Sequence, residues 1–163
     1  MSETKNIKHP FPPLFDERSE TLILGSFPSV KSREAMFFYG HPQNRFWRVI
    51  AALYGEDAPN NIEEKKSLIL RNRLALWDSI QSCAITGSSD SSVKDVVPND
   101  LGLIIKNSRV DRIFCNGALS YKIYMKFIFP LTNIKAEKLP STSPANAAYS
   151  TDRLIKEWSI ILK

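Results

Sequence analysis

A chain of 163 residues, 43% hydrophobic and 24% charged, has the size and composition of one compact globular domain. Its apolar runs fall short of the roughly 20 residues that a membrane helix needs, and the opening MSETKNIKHPFPP has no apolar core, so neither a membrane span nor a secretory signal is expected. Lys and Arg number 22 against 17 Asp and Glu, and the net charge of +5 suits a polyanionic partner without identifying one.

Cys83 and Cys115 are the two cysteines of the chain, and His9 and His41 its two histidines. Two thiols cannot supply the four ligands of an iron–sulfur cluster. The wide separation of the histidines argues against a dedicated zinc site. Both thiols are expected to be reduced and buried, as in a cytoplasmic protein.

In chain order, residues 1–18 are Pro-rich and polar and predict a surface lead-in, with a single α/β domain over 19–163. Leu22-Ile23-Leu24, cut off by Gly25 and Pro28, reads as a short buried strand. The loop that follows is dense in aromatics, amides and cations, ending in Tyr39-Gly40-His41-Pro42-Gln43-Asn44-Arg45-Phe46-Trp47. Helical spacing of apolar residues over 46–54 predicts a helix there. Asn60-Asn61 ahead of two glutamates and a basic end predicts a capped helix. Residues 74–80 form a second apolar strand candidate, and 86–93, TGSSDSSV, a polar loop.

Further along, Asn99 or Asp100 caps a short helix through Lys106, and 110–115 reads as a third strand. Asn116-Gly117 turns into a helix over 118–129 that should stop at Pro130. A fourth strand is expected over 134–139, and a last amphipathic helix over 151–162, capped by Ser150 or Thr151. Strands alternating with helices predict a three-layer α/β/α domain around a short, mainly parallel four-stranded sheet. Gly25-Ser26, Asn116 and the segment 141–146 each follow a strand. They therefore meet at one sheet edge, where open α/β sheets hold ligands.

Three separated blocks, GSFPS from Gly25, HPQNRFW from His41 and LPSTSPANA from Leu139, resemble the uracil-DNA glycosylase superfamily. They are most similar to its branch that excises hypoxanthine (deoxyinosine) from DNA. The resemblance spans most of the chain and implies a monofunctional glycosylase. Its partner would be DNA containing a deaminated base, with no metal, iron–sulfur cluster or other cofactor, no membrane and a monomeric state. Such an enzyme would be cytoplasmic and nucleoid-associated when acting on DNA. Excision of uracil, or DNA binding without catalysis, are the alternative readings.

Base removal requires flipping the nucleotide out of the stack into a pocket with an aromatic platform and edge-reading groups. The resemblance implies Phe46 as platform, with Trp47 in the core, although either could start a core helix. Asn44 is the catalytic candidate, since its amide can hold a water or donate to the departing base; it could instead cap the helix that begins at Phe46. Relatives that remove uracil usually carry Asp or Asn where Phe27 stands, so the familiar water-activating group is missing here. Gly25, Ser26, Phe27 and Asn116 are expected around the base edge, with Asn116 also a plausible turn residue. Ser141, Thr142, Ser143, Pro144, Ala145 and Asn146 would contact DNA, without the histidine that often opens this loop. Lys31 and Arg45, with Arg33 and Lys138 nearby, are phosphate candidates. No lysine lies within a block, so Schiff-base chemistry is not expected.

Overall fold

A computed structural model describes residues 4–162 of the chain. Among these residues the strands are β1 (Thr4–Lys8), β2 (Thr21–Gly25), β3 (Leu74–Asp78), β4 (Ile80–Thr86), β5 (Lys94–Pro98), β6 (Arg112–Asn116) and β7 (Ala136–Leu139). The helices are α1 (Val30–Ala35), α2 (Phe46–Leu53), α3 (Ile62–Arg71), α4 (Gly102–Lys106), α5 (Ala118–Ile123), α6 (Phe129–Thr132) and α7 (Thr151–Trp158).

The main sheet has the order β3-β2-β6-β7, and every neighbouring pair is parallel. Alternation along its strands divides the core in two, because successive side chains point to opposite faces. Ile23, Leu74, Leu76 and Phe114 pack with α2, α3 and α7 on one face. Leu22, Leu24, Ala75, Ile113 and Cys115 pack on the other with residues of α4 and with Tyr124 and Ile128. This is the expected three-layer architecture, and Cys83 and Cys115 are both free and buried.

A second sheet, β1-β4-β5, is antiparallel and was not expected from the sequence. The second strand candidate is in fact two: β3 ends at Asp78, and after Ser79 the chain enters the other sheet as β4. β5 carries Lys94 and Asp95 and ends on Pro98, a largely exposed edge without clear alternation. The lead-in also differs from expectation. Residues 1–3 lie outside the described ones, but β1 pairs with β4, and Phe11 and Leu14 are buried in the core. Its prolines do not prevent this, since edge segments need donate few ladder hydrogen bonds.

Pro130 does not end its helix. A π-turn over Tyr124–Ile128 precedes α6, and Pro130 takes an early position in α6, where a missing N–H costs little. Two caps fall as expected, Asn61 accepting from the Glu64 amide at 2.9 Å and Ser150 from the Arg153 amide at 3.1 Å, whereas α4 begins after Leu101 without a side-chain cap and Asn99 donates to the Asp78 and Ile80 carbonyls.

Candidate active site

Because the four strands of the main sheet are parallel, their carboxyl ends lie along one edge. Gly25 ends β2, Asp78 ends β3, Asn116 ends β6, and Pro140 follows β7. A solvent-open cavity of about 1060 Å³ lies there. Gly25, Tyr39, Asn44, Asp78, Asn116 and Thr142 all line it. The three sequence blocks therefore converge on one place, as such sheets require of their ligand sites.

Phe11, Phe27, Phe38, Tyr39 and Tyr149 give the cavity its aromatic character, and Tyr39 is the ring that replaces the expected platform. Phe46 is fully buried, wedged against Trp158 with ring centroids 5.9 Å apart, and does not reach the cavity. Tyr39 stacks on it at 4.0 Å with an interplanar angle of 19° and lines the cavity. The expected platform is thus one ring removed from the surface that a ligand would meet. Trp47 is buried too, and its indole N–H donates to the Phe38 carbonyl at 3.2 Å. Tyr39 holds a left-handed backbone, φ 52°, a conformation costly for an aromatic residue. The neighbouring Gly40 lets the loop lie close to α1: a Cβ there would meet the Lys31 carbonyl and Ser32 Cα at 3.2 Å, tighter than most such contacts.

Asn44 both caps and lines. Its Oδ1 accepts from the Phe46 amide at 2.9 Å, fixing the entry to α2. No partner among the described residues takes its Nδ2–H, and Asn44 faces the cavity. Capping and ligand contact are compatible because they use opposite ends of the amide.

Asn116 is committed differently. Its Oδ1 accepts from the Thr142 amide at 3.0 Å, and its Nδ2 donates to Thr142 Oγ1 at 3.0 Å. This reciprocal pair fastens the third block to the end of β6. Gly117 assists, since its φ of 98° suits glycine and a Cβ would press within 3.3 Å of Ser141 Cβ. Thr142 is buried, while Pro144 and Ala145 form the exposed tip of the loop.

Arg45, expected to reach phosphate, instead points inward. Its guanidinium donates to the carbonyls of Ser143 (2.8 Å), Asn146 (3.0 Å) and Tyr149. A planar fork of donors satisfies several loop carbonyls at once, which no shorter side chain could do. Arg33 is likewise committed, to the carbonyls of Pro28 and Gly87. Lys31 is exposed, lies 3.6 Å from Glu34 and does not line the cavity. Lys138 is exposed and does line it. His41 accepts from the Gln43 amide through Nδ1, as a turn residue.

The first block holds its expected place with a mixed character. Ser26 lines the cavity and donates weakly to Asp90 at 3.4 Å. Phe27 also lines it, and packs edge-on to His9 at 5.9 Å.

Sequence reasoning missed Asp78 and His9. The His9 imidazole is 2% exposed, set among Phe11, Phe27, Phe38 and Trp77, and its Nε2 meets Asp78 Oδ2 at 2.6 Å. Asp78 lies at the cavity floor beneath Gly25. A Cβ on Gly25 would sit 2.4 Å from Asp78 Oδ1 and 3.1 Å from the Tyr39 hydroxyl, so the glycine is required by this close approach. The Tyr39 hydroxyl is buried beside the Asn116 amide, in electrostatic reach of it but without a hydrogen bond of good geometry. Burial first, and then the Asp78 carboxylate, hold its pKa far above the usual phenol value, so it stays a neutral donor.

No family model matches the chain. It is 34% identical to a hypoxanthine DNA glycosylase of Methanosarcina acetivorans over 158 residues, 96% of this chain and 99% of that one. The chain belongs to the hypoxanthine DNA glycosylase family. A hypoxanthine DNA glycosylase of Methanosarcina barkeri is 37% identical over 98 residues, 60% of this chain and 62% of that one. The fold places this family within the uracil-DNA glycosylase superfamily. A solution NMR structure of a Methanosarcina acetivorans protein, provisionally assigned as a uracil DNA glycosylase, matches with a TM-score of 0.80 at 33% identity. That match covers 94% of this chain and 95% of the other.

Proposed function

We propose that this protein is a monofunctional DNA glycosylase that flips deoxyinosine out of DNA and hydrolyses its N-glycosidic bond. The products are free hypoxanthine and an abasic site, the first step of base excision repair. The observation that carries the reading is the single cavity at the carboxyl edge of the parallel sheet. It combines an aromatic face, a free amide donor and a buried polar floor. Membership of the hypoxanthine DNA glycosylase family supports it.

In this reading the roles follow from the residues that line the cavity. The base enters furthest, with Tyr39 as the stacking surface, an interaction worth about 1–3 kcal/mol. Phe46 stiffens that surface from below. The sugar stays nearer the mouth, within reach of Asn44. As the C1′–N9 bond breaks, the sugar gains oxocarbenium character and the purine carries away the electron pair. The free Nδ2–H of Asn44 donates to that departing anion, water adds to C1′, and the proton that the water sheds neutralises the released purine. No carboxylate occupies the position of Phe27, so catalysis rests on stabilising the leaving group more than on activating water.

The loop tip at Pro144 and Ala145, with Ser141 and Ser143, meets the opened duplex. Lys138 provides phosphate contact, while Arg45 holds the loop in shape from behind. Acting on DNA, the enzyme would be found in the cytoplasm with the nucleoid, as a monomer.

The test is a single-turnover assay on duplexes with one inosine, uracil or adenine, with alkali cleavage of abasic products. Time-dependent cleavage at inosine, with free hypoxanthine released, is expected. Binding without any abasic product on any duplex would make this a non-catalytic DNA-binding protein.

A further inference from the structure

We propose that Asp78, held in place by His9, distinguishes a deaminated base from its parent by accepting the ring N–H that deamination creates. This rests on the excision reading above and names how that same cavity selects its substrate.

Asp78 is 4% exposed and lies on the cavity floor. Its Oδ2 is taken by His9 Nε2 at 2.6 Å, whereas no donor among the described residues bonds Oδ1. Oδ1 and the Tyr39 hydroxyl both lie close under Gly25, and the hydroxyl, beside the Asn116 amide, makes no hydrogen bond of good geometry. Asp78 Oδ1 thus meets the cavity with its acceptor capacity unused, next to the buried Tyr39 hydroxyl, and the polar edge of a ligand can satisfy it. A base stacked on Tyr39 would turn its edge toward this carboxylate, since both residues line the same cavity.

A carboxylate oxygen accepts and does not donate. Deamination of adenine replaces the amino group with a carbonyl and turns ring N1 from a lone pair into an N–H. Deamination of cytosine does the same at N3. Oδ1 thus gains a hydrogen bond from hypoxanthine or uracil, and meets a lone pair in adenine or cytosine. The penalty for the parent bases is an unpaired buried oxygen facing like charge density. The protein does not need to recognise the purine skeleton to make this distinction.

His9 acts through Asp78 as a positioning residue. Its Nε2–H fixes which oxygen turns to the cavity, and the aromatic cage holds the imidazole that does so. That β1 is followed at once by His9 gives the antiparallel sheet a part in specificity, because its pairing with β4 delivers the imidazole.

The experiment measures affinity for duplexes bearing 2′-fluoroarabino nucleotides, which are flipped but not hydrolysed, carrying hypoxanthine, uracil, adenine or cytosine. The unaltered protein should bind both N–H bases about ten-fold or more tighter than their parents, the scale of one satisfied against one orphaned buried contact. In Asp78→Asn, His9 holds the amide oxygen and turns the NH₂ to the base, so the ratio should fall to about one or favour adenine. His9→Leu should lower the ratio, and His9→Gln, which keeps a donor, should restore part of it. Equal affinity of the unaltered protein for hypoxanthine and adenine would overturn the proposal without any variant. So would an Asp78→Asn protein that melts like the original and keeps its ratio. Neither result touches the excision reading, which falls only if ordinary deoxyinosine yields no abasic site.

Discussion

Asn44→Ala is expected to slow excision of hypoxanthine by about 10²–10³-fold, the usual cost of removing one donor aimed at developing negative charge. The same substitution removes the Oδ1 acceptor of the Phe46 amide, and should lower stability by about 1 kcal/mol. These two effects separate in Asn44→Asp. The carboxylate keeps the acceptor for Phe46 and loses the Nδ2 donor, so this variant should melt near the original temperature while remaining as slow as the alanine variant. An Asn44→Asp protein with unimpaired single-turnover excision would remove the amide from the chemistry and leave it a helix cap.

Gly25→Ala is expected to have the second largest effect, on folding and activity together. The new methyl group would sit 2.4 Å from Asp78 Oδ1, closer than real contacts allow. Asp78 cannot swing aside, since His9 pins it and both side chains are almost fully buried. Overpacking of this kind costs about 1–3 kcal/mol, which thermal denaturation would read directly. The methyl also intrudes on the space beside the Tyr39 hydroxyl, so excision should fall even at temperatures where the variant is fully folded. Normal stability together with normal excision would mean that the floor of the cavity lies elsewhere.

Much of the architecture could be read along the chain because its determinants are local. Leu22-Ile23-Leu24 is a short apolar run ended by glycine, Ile113-Phe114-Cys115 one ended by Asn116-Gly117, and strand–helix alternation with right-handed crossovers leaves few ways to order the sheet. The three blocks could be placed at one edge for the same reason: each follows a parallel strand. What escaped notice depends on distant pairing. His9 and Asp78 lie 69 positions apart and meet because β1 pairs antiparallel with β4, a strand whose exposed edge partner β5 shows no clean alternation. A histidine in a Pro-rich lead-in gives no sign of this.

The aromatic platform illustrates a second limit. Tyr39 and Phe46 stand close in sequence and stack in space, and only the left-handed turn at Tyr39 decides which ring meets the cavity. Helical spacing predicted the helix but not its burial: Phe46, expected as the platform, is buried with Val49 and Ile50, and the ring stacked on it in the cavity comes from the loop before. Arg45 shows the reverse error. A cation in a DNA-contact block suggests phosphate, but the carbonyls of the 143–149 segment form an equally good set of acceptors, and they lie closer.

The cavity as the seat of an extruded base is tested most directly by a crystal structure of the protein on a duplex carrying 2′-fluoroarabino-deoxyinosine. The account predicts hypoxanthine outside the helix, its ring parallel to Tyr39 and its deepest edge toward Asp78, with the loop tip at Pro144 filling the vacated space. An inosine still paired within the duplex, or lodged on a surface away from Gly25 and Tyr39, would contradict it.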